Sequence, residues 1–290
     1  SGYITDCNST AMIYSGEDSS NLGGLAGSNS GTIINCNSTA SIRGGISSHG
    51  LGCFLGNNVD SVINCYSNGA VIAENSSYSL GGLIGRNAGS INNCFSTGAV
   101  IGKDEVASVG GLVGEIYFGT IGNCYTTVDI NIGANSVDFG GLVGYGYLGT
   151  ISNCYSKSQI AFGNGSSYFG GLIGEYDNGT VNSSYFLITS GPNNGKGIPL
   201  TETQMKQQSS FVGWDFNDVW TICETTNYPK LQWQILPADF VCPDGVNFVD
   251  YAYLAERWLW AGSGGADLTG DGEVDMLDIA IFADDWLVGL

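Results

Sequence analysis

Six cysteines, Cys7, Cys36, Cys65, Cys94, Cys124 and Cys154, recur at spacings of 29, 29, 29, 30 and 30 residues, each within a version of G-x-I-x-N-C-[YF]-S. A period of 20 to 50 residues implies stacked units, each burying its neighbour's face. A second motif, G-G-L-x-G, keeps the same period at Gly23–Gly27, Gly81–Gly85, Gly110–Gly114, Gly140–Gly144 and Gly170–Gly174, with a degenerate copy at Gly52–Gly56. A third apolar stretch, such as Ala70-Val71-Ile72 or Ala99-Val100-Ile101, completes each unit. Three short strand-like segments between Gly/Asn turns predict a mainly β protein, a β-solenoid of three-sided coils. Equivalent residues then stack in ladders about 4.8 Å apart, and six to seven coils span on the order of 30 Å.

The ladders are readable one by one. Asn35, Asn64, Asn93, Asn123, Asn153 and Asn182, with Asp6 in the first slot, form an expected amide column of the kind stacked strands support. Tyr66, Phe95, Tyr125 and Tyr155 form an aromatic column suited to packing. The cysteine column reads as buried free thiols, because in-register Cβ atoms sit wider than the ~3.8 Å a disulfide prefers. Cys223 and Cys242 lie outside the repeats and are open to pairing. Arg86 and Glu115 share a ladder and predict an exposed ion pair, worth about 0–1 kcal/mol. The single histidine, His49, falls in the most degenerate coil and reads as a loop residue without chemistry.

This repeat resembles the GLUG motif of bacterial surface and secreted proteins over residues 2–186. The resemblance implies an extracellular, surface-bound or secreted protein with an adhesin-like or scaffold role and no reaction. Residues 187–236 then form a cap: Thr201-x-x-Gln204 signals a short helix to about Ser209, followed by Phe211, Trp214, Phe216, Trp220, Tyr228, Leu231 and Trp233. This aromatic run is expected to cover the end of the last coil.

A different repeat, offset by 28 residues, occupies 237–290: Asp250-x-Ala252-x-Leu254-Ala255-Glu256-x-Trp258-Leu259 matches Asp278-x-Ala280-x-Phe282-Ala283-Asp284-x-Trp286-Leu287. Before the second helix, Asp267, Thr269, Asp271, Glu273, Asp275 and Asp278 fit an EF-hand-type calcium loop, with Gly272 at the sharp turn. Clustered carboxylates need a cation to offset their repulsion, so calcium is the expected cofactor. The preceding loop is degenerate and supplies Asp239, Asn247 and Asp250 for a weaker second site. The duplicated loop–helix pattern ending in Asp resembles type I dockerins, with Thr269 departing from the usual Asn or Asp. That resemblance implies a cohesin-like partner, with Phe248, Val249, Met276 and Leu277 as candidate contacts.

The formal charge is −19, with 8 basic residues against 27 acidic ones. Binding to phosphate backbones requires a Lys/Arg surface, which excludes nucleic acid as a partner. No run of 18 or more apolar residues occurs, so no membrane span is expected. Asn8, Asn37, Asn75, Asn164, Asn178 and Asn182 begin N-x-[ST] sequons open to glycosylation. Ser1 falls within a repeat, which suggests a processed or truncated chain with an open first coil. An unpaired edge invites head-to-tail self-association. A non-enzymatic structural or adhesive protein that assembles into a fibre or surface layer is therefore the first expectation. A cellulosome-like component that docks and binds polysaccharide is the second, and a β-helix polysaccharide-degrading enzyme the least favoured.

Overall fold

The computed structural model describes residues 2–242, 244–260 and 264–288, with 287 and 288 described by backbone alone. The chain forms two compact units: 1–202 with 211–213, and 203–210 with 214–290.

The first unit is a β-solenoid of about six turns. Its coils stack through four parallel sheets. One, seven-stranded, runs from Tyr3–Thr5 to Thr180–Asn182 and carries the isoleucine of the cysteine motif. The segment after each cysteine enters a twelve-stranded sheet, continuous in Tyr66–Ala73 and Phe95–Gly102 and split in two in other coils. Two six-stranded sheets flank the glycine motif, through Ser20–Gly23 and Ala26–Asn29 in the first coil. G-G-L is therefore a corner between two strands, not the strand its apolar character suggests.

The corner explains the glycines. A Cβ at the second glycine would lie 2.1 Å from the Gly111 oxygen at Gly82, and 2.2 Å from the Gly141 oxygen at Gly111. The serine of N-C-[YF]-S reaches across the same coil to this corner. Ser9 Oγ donates to the Gly24 carbonyl at 2.6 Å, Ser38 to Cys53 at 2.6 Å, Ser67 to Gly82 at 2.7 Å and Ser96 to Gly111 at 2.8 Å. Ser38, Ser67 and Ser96 are fully buried, so each hydroxyl needs this acceptor. The two motifs recur together because one holds the other.

Apolar side chains form two clusters. The first contains Cys36, Cys65, Cys94, Cys124 and Cys154 with Ile33, Val62, Ile91, Ile121 and Ile151; the second contains Ile42, Val71, Val100 and Ile130 with Leu51, Leu80, Val109 and Phe139. Each fully buried aliphatic side chain contributes about 1.5–3 kcal/mol.

The cysteines of the column are free thiols, as is Cys53, and all but Cys7 are buried. Each backbone N–H from Cys7 to Cys94 donates to the next Sγ at 3.2–3.4 Å. Burial pushes the Cys53 thiol up to about 12, opposing ionisation. Titration of the native protein with a thiol-specific disulfide reagent is expected to detect one group, Cys7, with the other six appearing only on denaturation.

Asp6, Asn35, Asn64, Asn93, Asn123 and Asn153 share a left-handed slot at φ 50–54°, but the expected amide column is interrupted: its bonds run from Asp6 to Asn64 and again from Asn92 to Asn153. Asparagine tolerates this conformation better than most residues, which explains its place before each cysteine. Asn182 does not belong to the column. It pairs with Ser152, and Ser183 takes the left-handed slot at φ 40°. The bonds also shift: Asn64 Nδ2 donates to Asn35 Oδ1 at 3.3 Å, whereas Asn123 Nδ2 donates to Asn92 Oδ1 at 3.1 Å. A second, buried amide ladder joins Asn29, Asn58 and Asn87 at 2.8 Å per step.

The aromatic column stacks as expected, with ring centroids 4.8–5.0 Å apart from Tyr66 to Tyr155. Tyr125 and Tyr155 are buried, so this column serves packing. Arg86 and Glu115 form their ion pair at 3.2 Å, and Ser79 Oγ also donates to that carboxylate at 2.6 Å. His49 is a strand residue, not a loop residue, and stacks on Tyr78 at 4.7 Å.

At the C-terminal end of this unit, Ile198–Leu200 adds a parallel strand to Tyr185–Leu187. Phe211 packs edge-on against Tyr185 at 5.2 Å, and the Val212 N–H donates to the Tyr185 hydroxyl at 3.0 Å. The expected helix is short, α1 (Glu202–Met205), followed by a separate 3-10 turn at Gln208–Ser210.

The second unit contains an antiparallel pair, Trp220–Thr221 with Lys230–Leu231, and stacks Trp214 on buried Trp220 at 4.3 Å. It continues into α2 (Phe248–Glu256) and α3 (Met276–Val288). The 28-residue repeat is visible in their core, where Ala238 and Ala266, Val274, and Leu254 and Phe282 form one cluster and Val246, the counterpart of Val274, packs against it. Among the described residues, no helix is long and apolar enough to cross a membrane.

Candidate metal centre

Two loops precede α2 and α3, and each ends in a buried aspartate. Asp250 is 1% exposed and Asp278 is 0% exposed. Asp278 Oδ1 accepts the N–H groups of Leu268 and Thr269 at 2.7 and 3.0 Å, and Oδ2 accepts that of Asp275 at 2.7 Å. Asp250 repeats the pattern with Phe240 and Val241 on Oδ1 and Asn247 on Oδ2, at 2.8, 3.0 and 3.0 Å. Asn247 and Asp275 face them as helix caps, accepting from Val249 and Leu277 at 2.7 Å each. Positions 9 and 12 of each loop thus form a capping box, which fixes the loop on its helix.

In the second loop the structure brings Asp267, Thr269 and Asp278 together. The Thr269 hydroxyl lies 3.3 Å from both Asp267 Oδ1 and Asp278 Oδ1. Asp267 also accepts the N–H groups of Gly270, Asp271 and Gly272, at 2.8, 3.2 and 2.9 Å, which wraps the backbone around its carboxylate. Asp271 Oδ1 accepts the Glu273 N–H at 3.0 Å, and the Glu273 side chain is exposed. Gly272 has φ 95°, the conformation the sharp turn requires.

The first loop is the more convergent in carboxylates. Among the described residues, one group of acidic, histidine or cysteine ligand atoms gathers within 4.8 Å, that of Asp239, Asp244 and Asp250. Asp239 Oδ2 accepts the Gly245 N–H at 3.0 Å, while Oδ1 has no hydrogen-bond partner among the described residues. Asn247 turns its Nδ2 toward Asp244 Oδ1 at 3.0 Å and the Gly245 carbonyl at 2.9 Å. Asp244 escapes sequence reasoning because it stands at the sixth position, where an EF-hand loop has glycine. Pro243, at the fifth, lies outside the described residues. Cys223 and Cys242 form a disulfide.

The acidities follow from these surroundings. Burial raises the Asp278 pKa, but three backbone donors and the Thr269 hydroxyl outweigh it and hold the carboxyl below its usual range. Its stabilisation is therefore present above the ordinary carboxylate value and lost as pH falls through the folded one. Asp239 moves the other way: burial, then the charges of Asp250 and Asp244, raise it. Its charged form costs stability as pH rises through that raised value, and a bound cation relieves this cost. Calcium is accordingly expected to raise the melting temperature of the second unit more at pH 7 than at pH 4, as read by near-UV circular dichroism.

The second loop fits a hard cation by donor type, since carboxylate and hydroxyl oxygens are calcium ligands, whereas in the first Asn247, expected as a ligand, gives its amide oxygen to the Val249 N–H and turns its Nδ2 toward Asp244. Phe248, Val249, Met276 and Leu277 are 76, 58, 67 and 59% exposed, two beside each loop. An apolar cavity of about 410 Å³ between α2 and α3 is lined by Phe248, Tyr251, Ile279, Phe282, Ala283 and Trp286. Of the sequon asparagines, Asn37 is half-buried and the other five are exposed.

The fold and these loops define a repeat solenoid joined to a duplicated loop–helix module. The family model described as the GLUG motif matches the chain twice, at residues 18–43 and 76–101. The chain thus carries GLUG repeats. No curated protein matches the chain. Among solved structures, it is similar to a Bacteroides ovatus protein described as a "putative immunoglobulin A1 protease". The identity is 19%, the TM-score 0.44, and the match covers 80% of this chain and 75% of the other.

Proposed function

We propose that this chain is a non-catalytic extracellular scaffold or adhesion protein of a bacterial surface, displaying a GLUG-repeat solenoid through a calcium-dependent, dockerin-like module. The observation that carries this reading is the duplicated frame of the second unit. Two buried aspartates, Asp250 and Asp278, hold equivalent loops, and each loop presents an exposed apolar pair, Phe248-Val249 and Met276-Leu277. Calcium would be held in the second loop by Asp267, Thr269, Asp271, Asp275 and Asp278, and would offset their mutual repulsion. The solenoid supports a passive role: its charges include the ion pairs Arg86–Glu115, Glu74–Lys103 and Glu175–Lys196.

The test is calcium-dependent capture of the full chain on a panel of immobilised cohesin modules. The expected result is binding that chelator abolishes and that alanine at Phe248, Val249, Met276 and Leu277 weakens. Retention that ignores both would reject docking through this module. Calcium-dependent filaments in electron micrographs, without capture, would move the reading to a self-assembling fibre.

One observation favours a second reading, in which the solenoid binds polysaccharide. In the 30-residue coils one corner is a residue longer, and Phe118 and Leu148 occupy it with φ of 60° and 50°. Bulky side chains rarely adopt this conformation, and such strain clusters at functional sites. It exposes Tyr117 and Phe118 by 49 and 56%, with Tyr147 stacked on Tyr117 at 5.4 Å. Affinity electrophoresis in polysaccharide gels is expected to show retardation that Tyr117→Ala removes. Equal mobility of both proteins would dismiss this reading.

A further inference from the structure

We propose that the aromatic face of the three 30-residue coils selects a polysaccharide whose sugars carry protonated amino groups, through carboxylates interleaved with its rings. This rests on the polysaccharide reading above and adds the class of sugar. The face is the outward side of one six-stranded sheet. In its strands Val113–Tyr117, Val143–Tyr147 and Ile173–Asp177 successive side chains alternate between faces, so Ile116 is buried while Glu115 and Tyr117 are not. Parallel register then builds two outward columns, Glu115, Tyr145 and Glu175 beside Tyr117, Tyr147 and Asp177. The second column is peculiar to these coils. In the 29-residue coils the strand ends one residue earlier, at Asn58 and Asn87.

Rings and carboxylates meet across the two columns. The Tyr145 hydroxyl donates to Asp177 Oδ2 at 3.0 Å, which orients that carboxylate beside the Tyr117–Tyr147 stack. Phe118 stands edge-on to both rings of the stack, at 4.6 and 5.7 Å. Exposed ring faces suit the flat C–H face of a pyranose, and they also attract a cation. The charges of this face leave negative sign over. Arg86 pairs with Glu115 and Lys196 with Glu175, whereas Asp177 and Asp138 have no ion-pair partner among the described residues. Asp138 lies on the adjoining strand Val137–Gly140, where burial, then the charges of Glu175 and Asp177, raise its pKa against the pull of Lys196. An ammonium group seated here would offset that repulsion. The chain as a whole, at a formal charge of −19, draws cationic polymers and repels anionic ones. A sugar amine satisfies ring and carboxylate at once, and its repetition along a polymer matches columns that repeat coil by coil.

Isothermal titration of the full chain with a glucosamine oligomer, and with the same oligomer fully N-acetylated, tests the proposal. It is run at about pH 6, where free amines are protonated and ordinary carboxylates ionised. The amine-bearing oligomer is expected to bind roughly tenfold or more tightly, the scale of a hydrogen bond to a charged group. Asp177→Asn should erase that preference and leave the N-acetylated oligomer bound as before, which shows that the variant is folded. Tyr117→Ala should weaken both oligomers. Asp129→Asn, at an exposed carboxylate of the twelve-stranded sheet, should change neither. Equal binding of the two oligomers by the wild type would overturn the inference and spare the polysaccharide reading. Binding of neither would overturn both. An equal loss in Asp129→Asn and Asp177→Asn would assign the preference to overall charge and overturn it. Tighter binding of a lysine oligomer would also overturn it, by making the face a peptide site.

Discussion

Gly111→Val is expected to abolish cooperative folding of the central coils, with a loss of about 3–5 kcal/mol, the range of severe core lesions. A Cβ there would stand 2.2 Å from the Gly141 oxygen, 2.7 Å from Thr126 Oγ1 and 2.8 Å from Ser158 Oγ. The first contact is with backbone of the next coil, which cannot retreat without breaking its own ladder. The hydroxyls are equally committed, since Ser158 Oγ donates to the Gly141 carbonyl at 3.0 Å. In a solenoid each coil depends on its neighbours, so the damage spreads in both directions. Arg86→Ala, on a half-exposed ion pair of a neighbouring coil, should cost about 0–1 kcal/mol. Urea denaturation followed by far-UV circular dichroism distinguishes the two. Similar midpoints would show that the glycine corner is not what the coils are built on.

Asp278→Ala is expected to destabilise the second unit by about 2–4 kcal/mol even in chelator. The carboxylate is fully buried and accepts N–H groups from Leu268, Thr269 and Asp275. Each buried donor left unsatisfied costs about 1–3 kcal/mol, partly recovered if water enters. Asp278→Asn keeps an oxygen on the same stem and should lose less. Thermal unfolding in chelator, read by near-UV circular dichroism, isolates this structural share from any contribution of calcium. Equal transitions for wild type and Asp278→Ala would mean that the capping frame does not hold the loop on α3.

The stacked architecture was legible because period is a global property: cysteine, aromatic and glycine columns all repeat together, so errors at one position are outvoted. Single positions lack that redundancy. Asn182 drew the wrong ladder assignment because an asparagine happens to stand one residue before the slot Ser183 fills. The buried ladder of Asn29, Asn58 and Asn87 is only three residues long, and it stops where the longer corner substitutes Ile116, Gly146 and Tyr176. G-G-L looked like a strand because its leucine is apolar. Its glycines answer instead to a close approach between coils, which composition does not encode. At the acidic loops, spacing alone singles out Asp267 to Asp278. The convergence of Asp239, Asp244 and Asp250 brings in an aspartate at the sixth position, where a twelve-residue template expects glycine.

In the proposed reading, a GLUG-repeat solenoid is joined to a module whose order depends on a cation. Hydrogen–deuterium exchange with mass spectrometry, with calcium and with chelator, tests it most directly. The expected result is that chelation accelerates exchange across 239–250 and 267–278 and at the starts of α2 and α3. Amides of the coils from Thr32 to Asn182 should keep their protection unchanged. Equal protection of both loops in the two conditions, or loss of protection in the solenoid when calcium is removed, would contradict it.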